Sequence, residues 1–246
     1  MKSSIRWSLG VSLCTMMIAV CSAFAEEQVF RGELAEGDKT HKKSDGLVDY
    51  YVVRAEAGQL MTITMKPAED AQMDTYLYIV GPSGQEYSND DIEGGGSRLT
   101  FRVPETGEWE IAATAYEDDK GAYVVTAVTR ALKVVLGERG ELEEGDEVLL
   151  KQGELYDKFT LEVEAGKTYA VMGASSDFDT FLAVHFPGGF AKNDDAEGGS
   201  GMSLVIFRPT KAGQATIVMT SSYEQAEGRY RLAAYEAVTA EKKDSP

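Results

Sequence analysis

The chain has 246 residues, of which 41 are acidic and 24 basic, and its formal net charge is −17 at pH 7. A charge of this sign repels nucleic acid and anionic lipid, so the composition disfavours a nucleic-acid-binding or membrane-surface protein. A divalent cation or a basic protein surface is a more natural partner, although the charge also serves simply to keep an exported protein soluble.

Residues 1–25 have the pattern of a secretory signal peptide. A basic start is followed by an apolar run and by Ala23-Phe24-Ala25, which has the small-x-small form of a cleavage site. We therefore expect cleavage before Glu26 and a secreted protein, periplasmic or extracellular. Both cysteines, Cys14 and Cys21, lie in the signal, so the mature chain is predicted to have no disulfide.

The rest of the chain is an internal repeat of two similar units. The matching segments are 32–38 with 140–146, 56–58 with 164–166, 74–77 with 179–182, 89–95 with 193–199, and 121–123 with 228–230. A repeat of this period predicts two tandem domains. They are 26–130 (unit one) and 140–238 (unit two), with an ordered linker at 131–139 and a disordered tail at 239–246.

Apolar and polar residues alternate with a period of two throughout both units. Phe159, Leu161 and Val163, for example, alternate with Thr160 and Glu162. Glycine, proline and Asn-Asp pairs separate the alternating segments, and no segment has a long helical period. This pattern predicts an all-β fold of two tandem antiparallel β-sandwiches.

An acidic loop is the most similar stretch of the two units. Asn89-Asp90-Asp91-Ile92-Glu93-Gly94-Gly95 returns as Asn193-Asp194-Asp195-Ala196-Glu197-Gly198-Gly199. Calcium prefers carboxylate and amide oxygens of this kind, so calcium is the candidate cofactor. The candidate ligands are Asp74, Asn89, Asp90, Asp91 and Glu93 in unit one, and Asp179, Asn193, Asp194, Asp195 and Glu197 in unit two. The residue types favour an alternative, side-chain-to-backbone turns with glycines at positive φ, and both roles are compatible.

No catalytic set stands out. His41 lies in a polar stretch, and His185 lies on a strand whose alternation turns it outward. The sequence contains neither a Gly-x-Ser-x-Gly elbow nor a His-Glu-x-x-His zinc pair. We therefore predict a non-enzymatic protein. A glycosidase using paired carboxylates stays open as an alternative, but acidic loops in both units favour binding over a single active site.

Aromatic residues offer a second candidate surface. Tyr50, Tyr76, Tyr78 and Tyr87 are candidates for an outer sheet face in unit one, with Phe181 and Phe190 as partial counterparts. Such a face can stack on sugar rings or grip a peptide. The alternative, which we favour, is that these rings only cover the sheet surface.

Each unit resembles the bacterial pre-peptidase C-terminal domain. The similar run is a Gly-Asp turn, an Asp-x-aromatic strand ending in Ala-Gly, Asp-Thr-aromatic-Leu, Asn-Asp-Asp, a Pro–Gly pair and a closing Gly-x-Tyr strand. The resemblance implies jelly-roll-like sandwiches, usually appended to secreted proteases, that assist secretion, attachment or processing. Some such domains bind collagen and some bind calcium. The sequence predicts no protease domain beside this pair, so we expect a protease-accessory role to act in trans.

These features predict a secreted, non-enzymatic binding or attachment protein that recognises an extracellular protein or polysaccharide and is stabilised by calcium where the loops bind it. Two alternatives stay open: a glycan hydrolase that uses acidic residues, and an in-trans accessory or inhibitor of a secreted protease. Neither nucleic acid nor membrane insertion is expected after signal cleavage.

Overall fold

The computed structural model describes residues 26–68, 73–90, 95–116, 119–149, 153–194, 201–224 and 226–238. The predicted signal peptide and tail lie outside these ranges. Every regular element in them is a β-strand, which confirms the predicted all-β fold. No helix in the described ranges is long and apolar enough to cross a membrane.

Nine strands begin in unit one, and the last of them crosses into unit two. They are β1 (Glu26–Leu34), β2 (Lys39–Thr40), β3 (Leu47–Ala55), β4 (Leu60–Pro67), β5 (Thr75–Val80), β6 (Glu86–Asn89), β7 (Ser97–Arg102), β8 (Gly107–Ala115) and β9 (Gly121–Leu142). Gly37, in the turn before β2, has a φ of 105°, as does its repeat Gly145 at 114°. Glycine adopts this backbone conformation at no steric cost.

Eight further strands complete unit two. They are β10 (Glu147–Val148), β11 (Leu155–Val163), β12 (Thr168–Ser175), β13 (Thr180–Phe186), β14 (Gly189–Asn193), β15 (Met202–Phe207), β16 (Gly213–Ser221) and β17 (Gly228–Val238). Their order and lengths follow those of unit one, so the sequence repeat is also a structural repeat.

The strands form three antiparallel sheets. Each unit has its own five-stranded sheet, in the order β2-β3-β8-β5-β6 in unit one and β10-β11-β16-β13-β14 in unit two. A seven-stranded sheet in the order β15-β12-β17-β9-β4-β7, with β1 also paired to β9, is common to both. The inward side chains of the sheets make one hydrophobic core per unit, as in two sandwiches.

The two cores are packed differently. Trp109 is fully buried in unit one, where its ring lies 5.3 Å from that of Phe101. Ala215 takes the corresponding place in unit two and is also fully buried. The aromatic contact there is instead between Phe186 and Phe207, whose ring centroids are 4.7 Å apart.

Strand β9 joins the units without a break. Residues 131–139, interpreted from the sequence as an ordered linker, are strand and pair with β17. The register shifts between Ala234 and Tyr235, a bulge that lets one strand serve two cores. Near the middle of β9, Thr129 is opposite Glu26 of β1, and Ala131 is opposite Val238 of β17.

A buried tyrosine closes each sandwich at the same place. The Tyr123 hydroxyl donates to Asp49 Oδ2 at 2.6 Å, and Tyr230 donates to Asp157 in unit two. Burial, reinforced by these hydrogen bonds, raises the pKa of both tyrosines. The hydroxyls lie against Gly32 and Gly140, where a Cβ would come within 2.3 and 2.2 Å. The tyrosine of the Gly-x-Tyr pattern therefore donates its hydrogen bond to the aspartate of the Asp-x-aromatic pattern in each unit.

Candidate functional site

The asparagines of the acidic loops connect strands of different sheets. Asn89 ends β6 and its Oδ1 accepts a hydrogen bond from the backbone N–H of Arg98 in β7, at 3.4 Å. Asn193 ends β14, and its Oδ1 accepts the equivalent bond from Leu204 of β15, also at 3.4 Å. Gly95 has a φ of 71°. The positive φ of Gly95 fits the turn interpretation, whereas the asparagine bonds reach 9 and 11 residues along the chain and are not local turn bonds.

Asp74 and Asp179 anchor the start of the strands that follow them. Their backbone carbonyls accept equivalent bonds at 2.9 Å, from the N–H of Tyr116 in unit one and of Ser222 in unit two. The carboxylate of Asp179 also accepts from the N–H of Gly201 at 3.0 Å. Both aspartates therefore have structural contacts, which do not depend on a metal.

Asp90 and Asp194 differ between the units. The Tyr116 hydroxyl donates to Asp90 Oδ2, and this bond raises the pKa of Tyr116 to about 12 because the carboxylate disfavours the tyrosinate. Asp194 is exposed. The remaining candidate ligands, Asp91, Glu93, Asp195 and Glu197, lie outside the described residues. Within the described ranges, no group of three or more histidine, cysteine and acidic side chains is placed to hold a metal.

The aromatic prediction is correct for three of its four tyrosines. Tyr50 and Tyr78 lie on the outer face of the five-stranded sheet, each opposite Ala112 of β8. The ring of Tyr76 is 4.4 Å from that of Tyr78. Tyr87 was assigned to the wrong side: it is buried and stacks on Phe101 at 4.3 Å, because alternation along the short β6 turns it inward.

Two further rings extend this outer face. Tyr116, directly after β8, stacks on Tyr76 with centroids 5.4 Å apart. His41 packs on Tyr78 at 4.3 Å, and its Nδ1 is 3.2 Å from Ser44 Oγ. The outward side chains of Tyr50, Tyr76, Tyr78 and Tyr116 make up the tyrosine face.

The two histidines have no common role. Burial, followed by the nearby Lys43 charge, lowers the pKa of His41, which fits a neutral ring packed on the tyrosine face. Nothing in the polar stretch around His41 indicated this packing. His185 is exposed on β13, as its alternation predicted.

Within the described residues the tyrosine face is only partly repeated in unit two, where Tyr156 and Phe181 both lie opposite Thr220 of β16. The register places Lys158 and Ala183 opposite Val218, where unit one has Tyr50 and Tyr78 opposite Ala112. Phe181 is half-buried, with Lys192 Nζ 5.8 Å from its ring centre. The acidic loops recur in both units, whereas the two tyrosines opposite Ala112 are a feature of unit one.

Comparison with known proteins defines no family. No protein-family model matches the chain, and no curated protein matches it. Among solved structures, the chain is similar to the CBM22-1–CBM22-2 tandem domain of Paenibacillus barcinonensis Xyn10C, with 8% sequence identity and a TM-score of 0.25. The superposition covers 89% of this chain and 94% of that domain pair. The major capsid protein P2 of bacteriophage PM2 is also at 8% identity, covering 87% and 99%, with a TM-score of 0.23. These values are too low to indicate function.

Proposed function

We propose that the protein is a non-catalytic binding protein, acting outside the cytoplasm, that attaches to a polysaccharide through the tyrosine face. The observation that carries this proposal is a set of adjacent, partly exposed rings above small side chains. Tyr50 is 44% exposed and Tyr116 is 41% exposed. Ala112 and Thr114 beneath them are buried, and Tyr76 contacts both Tyr78 and Tyr116.

Such a surface suits a sugar chain. Tyrosine presents a flat apolar ring and a hydroxyl that hydrogen-bonds, and it loses little conformational freedom on binding. Tyr76 stacks on Tyr116 and makes a tilted contact with Tyr78, and these contacts hold the three rings in place before a ligand arrives. A preorganised surface of this kind keeps the entropic cost of binding low.

The charges near the tyrosine face favour a neutral polysaccharide there. Asp90 accepts the hydrogen bond of Tyr116, and Glu86 forms an ion pair with Lys43. Glu110 lies on the same face of β8, opposite Val52 and Val80. An acidic polymer would meet these carboxylates unfavourably.

Binding of residues 26–246 to soluble neutral glucans, xylans and mannans tests this proposal. We expect Tyr50→Ala with Tyr116→Ala to weaken binding at least about tenfold, since each ring contributes on the order of 1 kcal/mol. Phe190→Ala is the matched control, because Phe190 is 60% exposed but lies in unit two. An equal loss in the control, release of reducing ends, or binding only to proteins would contradict the proposal.

Calcium binding by the acidic loops is a further proposal. Its support is the repeated loop composition together with two carboxylates near Tyr116: Asp90 accepts from its hydroxyl, and Asp119 Oδ2 accepts from the Asp74 N–H at 3.0 Å. We expect calcium to raise the melting temperature of residues 26–246 relative to chelator. Asp90→Asn should reduce the rise. Identical melting in calcium and in chelator would leave the loops with the turn role alone.

Export and kinship with the pre-peptidase C-terminal family are likewise proposals. The first rests on the composition of residues 1–25 and the second on the order of motifs found in both units. An in-trans role beside a secreted protease follows only from the second, so co-purification with a protease would favour it over attachment to a glycan.

A further inference from the structure

The outward face of the seven-stranded sheet concentrates basic residues. The burial pattern turns Arg98 and Arg102 outward on β7, while Leu99 and Phe101 enter the core. The same alternation holds in the other strands of this sheet, with its phase shifted at the β9 bulge. Six outward arginines make up the arginine face: Arg98, Arg102, Arg130, Arg139, Arg208 and Arg231. The outward positions of β4, β7, β12 and β15 carry no acidic residue; acids on this side are Glu27 and Glu33 of β1 and Glu141 of β9.

These arginines lack carboxylate partners within the described ranges. The salt bridges found there join Lys43 to Glu86, Lys167 to Glu164 and Glu236, and Arg229 to Glu141. None involves a member of the arginine face. In a chain with 41 acidic and 24 basic residues, a group of arginines without salt bridges leaves strong donors available to an anion.

The first concave site on this side lies where the units meet. A groove of about 310 Å³ is lined by Arg98, Arg130 and Arg208, with the hydroxyls of Thr62, Thr100 and Thr168 among the other lining groups. The Nε of Arg98 donates to Thr64 Oγ1 at 3.3 Å, and the Nε of Arg208 donates to the Gly166 carbonyl at 2.8 Å. These bonds orient two guanidinium groups and use only their Nε–H donors.

The second concave site, of about 620 Å³, lies farther along β9 and β17. Arg139 and Arg231 face each other directly across these strands, and Arg229 lines the same site. Like charges placed directly opposite destabilise a sheet unless a counter-charge compensates them. Asp177 also lines the site, but its carboxylate accepts from the backbone N–H of Arg229 at 2.9 Å. A bound anion would relieve the repulsion between the two guanidinium groups.

We propose that the arginine face binds a linear anionic polysaccharide, which lies across both units with its carboxylate or sulfate groups in the junction groove. Guanidinium groups pair with such anions through two parallel hydrogen bonds. The threonine hydroxyls suit sugar hydroxyls. This site is separate from the tyrosine face and goes beyond the proposed function, because it gives the protein a second attachment point for a polymer of different charge.

The charge distribution favours a sugar polymer over other polyanions. The chain as a whole is strongly acidic, so a broad anionic surface such as a bilayer would be repelled, whereas a single chain fits between the acidic regions. Single-stranded nucleic acid binds on exposed aromatic platforms. In the described part of this face the aromatic ring is Tyr235, and the Arg102 guanidinium lies over it at 5.8 Å.

Binding of residues 26–246 to dextran sulfate and polygalacturonate, with neutral dextran as reference, tests the proposal. At about 50 mM salt we expect binding to the anionic polymers, weakening as salt is added. The triple variant Arg98→Gln, Arg130→Gln, Arg208→Gln should bind at least tenfold more weakly with an unchanged melting temperature. Arg54→Gln is the matched control, since Arg54 is an exposed arginine of the five-stranded sheet.

Three results would overturn the proposal. They are an equal loss in the Arg54 control, no binding to either anionic polymer at low salt, and tighter binding to phosphatidylserine vesicles or single-stranded DNA than to the polymers. The variant Tyr50→Ala with Tyr116→Ala should keep full affinity for the anionic polymers. Loss of binding to neutral polysaccharides and loss of binding to anionic polymers are therefore measured independently.

Discussion

Replacing Trp109 by alanine should lower the free energy of unfolding of unit one by about 3–5 kcal/mol, the range for deleting a buried large aromatic side chain. The ring is fully buried and packs against Phe101 at 5.3 Å and Tyr87 at 6.0 Å. It also lies so close to Gly81 that a Cβ there would come within 2.8 Å of it. The surrounding strands are paired on both sides, so we expect a cavity rather than collapse.

Chemical denaturation followed by circular dichroism measures this loss, since Trp109 is the only tryptophan after residue 25 and its removal abolishes the fluorescence signal. Trp109→Phe is the control. Phenylalanine keeps an aromatic ring at this position and therefore most of the packing. It also removes an unsatisfied donor, because the indole Nε1 has no hydrogen-bond partner among the described residues. Equal losses for alanine and phenylalanine would contradict a packing role.

Replacing Gly140 by alanine should destabilise unit two by about 3 kcal/mol, at the upper end of the range for overpacking a core. The new Cβ would lie 2.2 Å from the Tyr230 hydroxyl and 2.4 Å from its ring carbon Cζ. Tyr230 would have to move, and its hydrogen bond to Asp157 would be lost or weakened.

Gly137→Ala is the matched control for this prediction, because Gly137 lies on the same strand and a Cβ there would meet only Val134, at 4.0 Å. We expect its effect to stay below about 1 kcal/mol, as alanine is a better strand residue than glycine. Far-ultraviolet circular dichroism follows both units, and Trp109 fluorescence follows unit one alone. Similar losses for the two variants would show that the contact with Tyr230 is not the cause.

Local patterns in the sequence predicted much of the fold. Two-residue alternation indicated the strands, and the repeated motifs indicated two similar units, because both patterns depend on neighbouring residues. The Asn-Asp-Asp motif predicted a turn, most of whose residues lie outside the described ranges; Asn89 and Asn193 hold equivalent bonds to the next strand. Whether the same loops hold calcium depends on residues outside the described ranges, and the metal site stays a prediction.

Other features depend on the three-dimensional arrangement and had no local signal. The bulge near Tyr235 changes which residues of β9 face inward, so segment 131–139 did not alternate regularly and was interpreted as a linker. Tyr116 joins the tyrosine face only because β8 and β5 are paired. The net charge predicted repulsion of nucleic acid and anionic lipid, and as an average over the chain it could not reveal that arginines gather on one sheet.

The meeting of β1, β9 and β17 has a mechanical consequence. Glu26 and Val238 are opposite Thr129 and Ala131, two positions that lie roughly 7 Å apart along one extended strand. Tension applied between those outer strand ends would therefore act at almost a single point. It would unzip the flanking pairs one at a time instead of shearing many together, so resistance to pulling should be low in this direction even where resistance to heat is high.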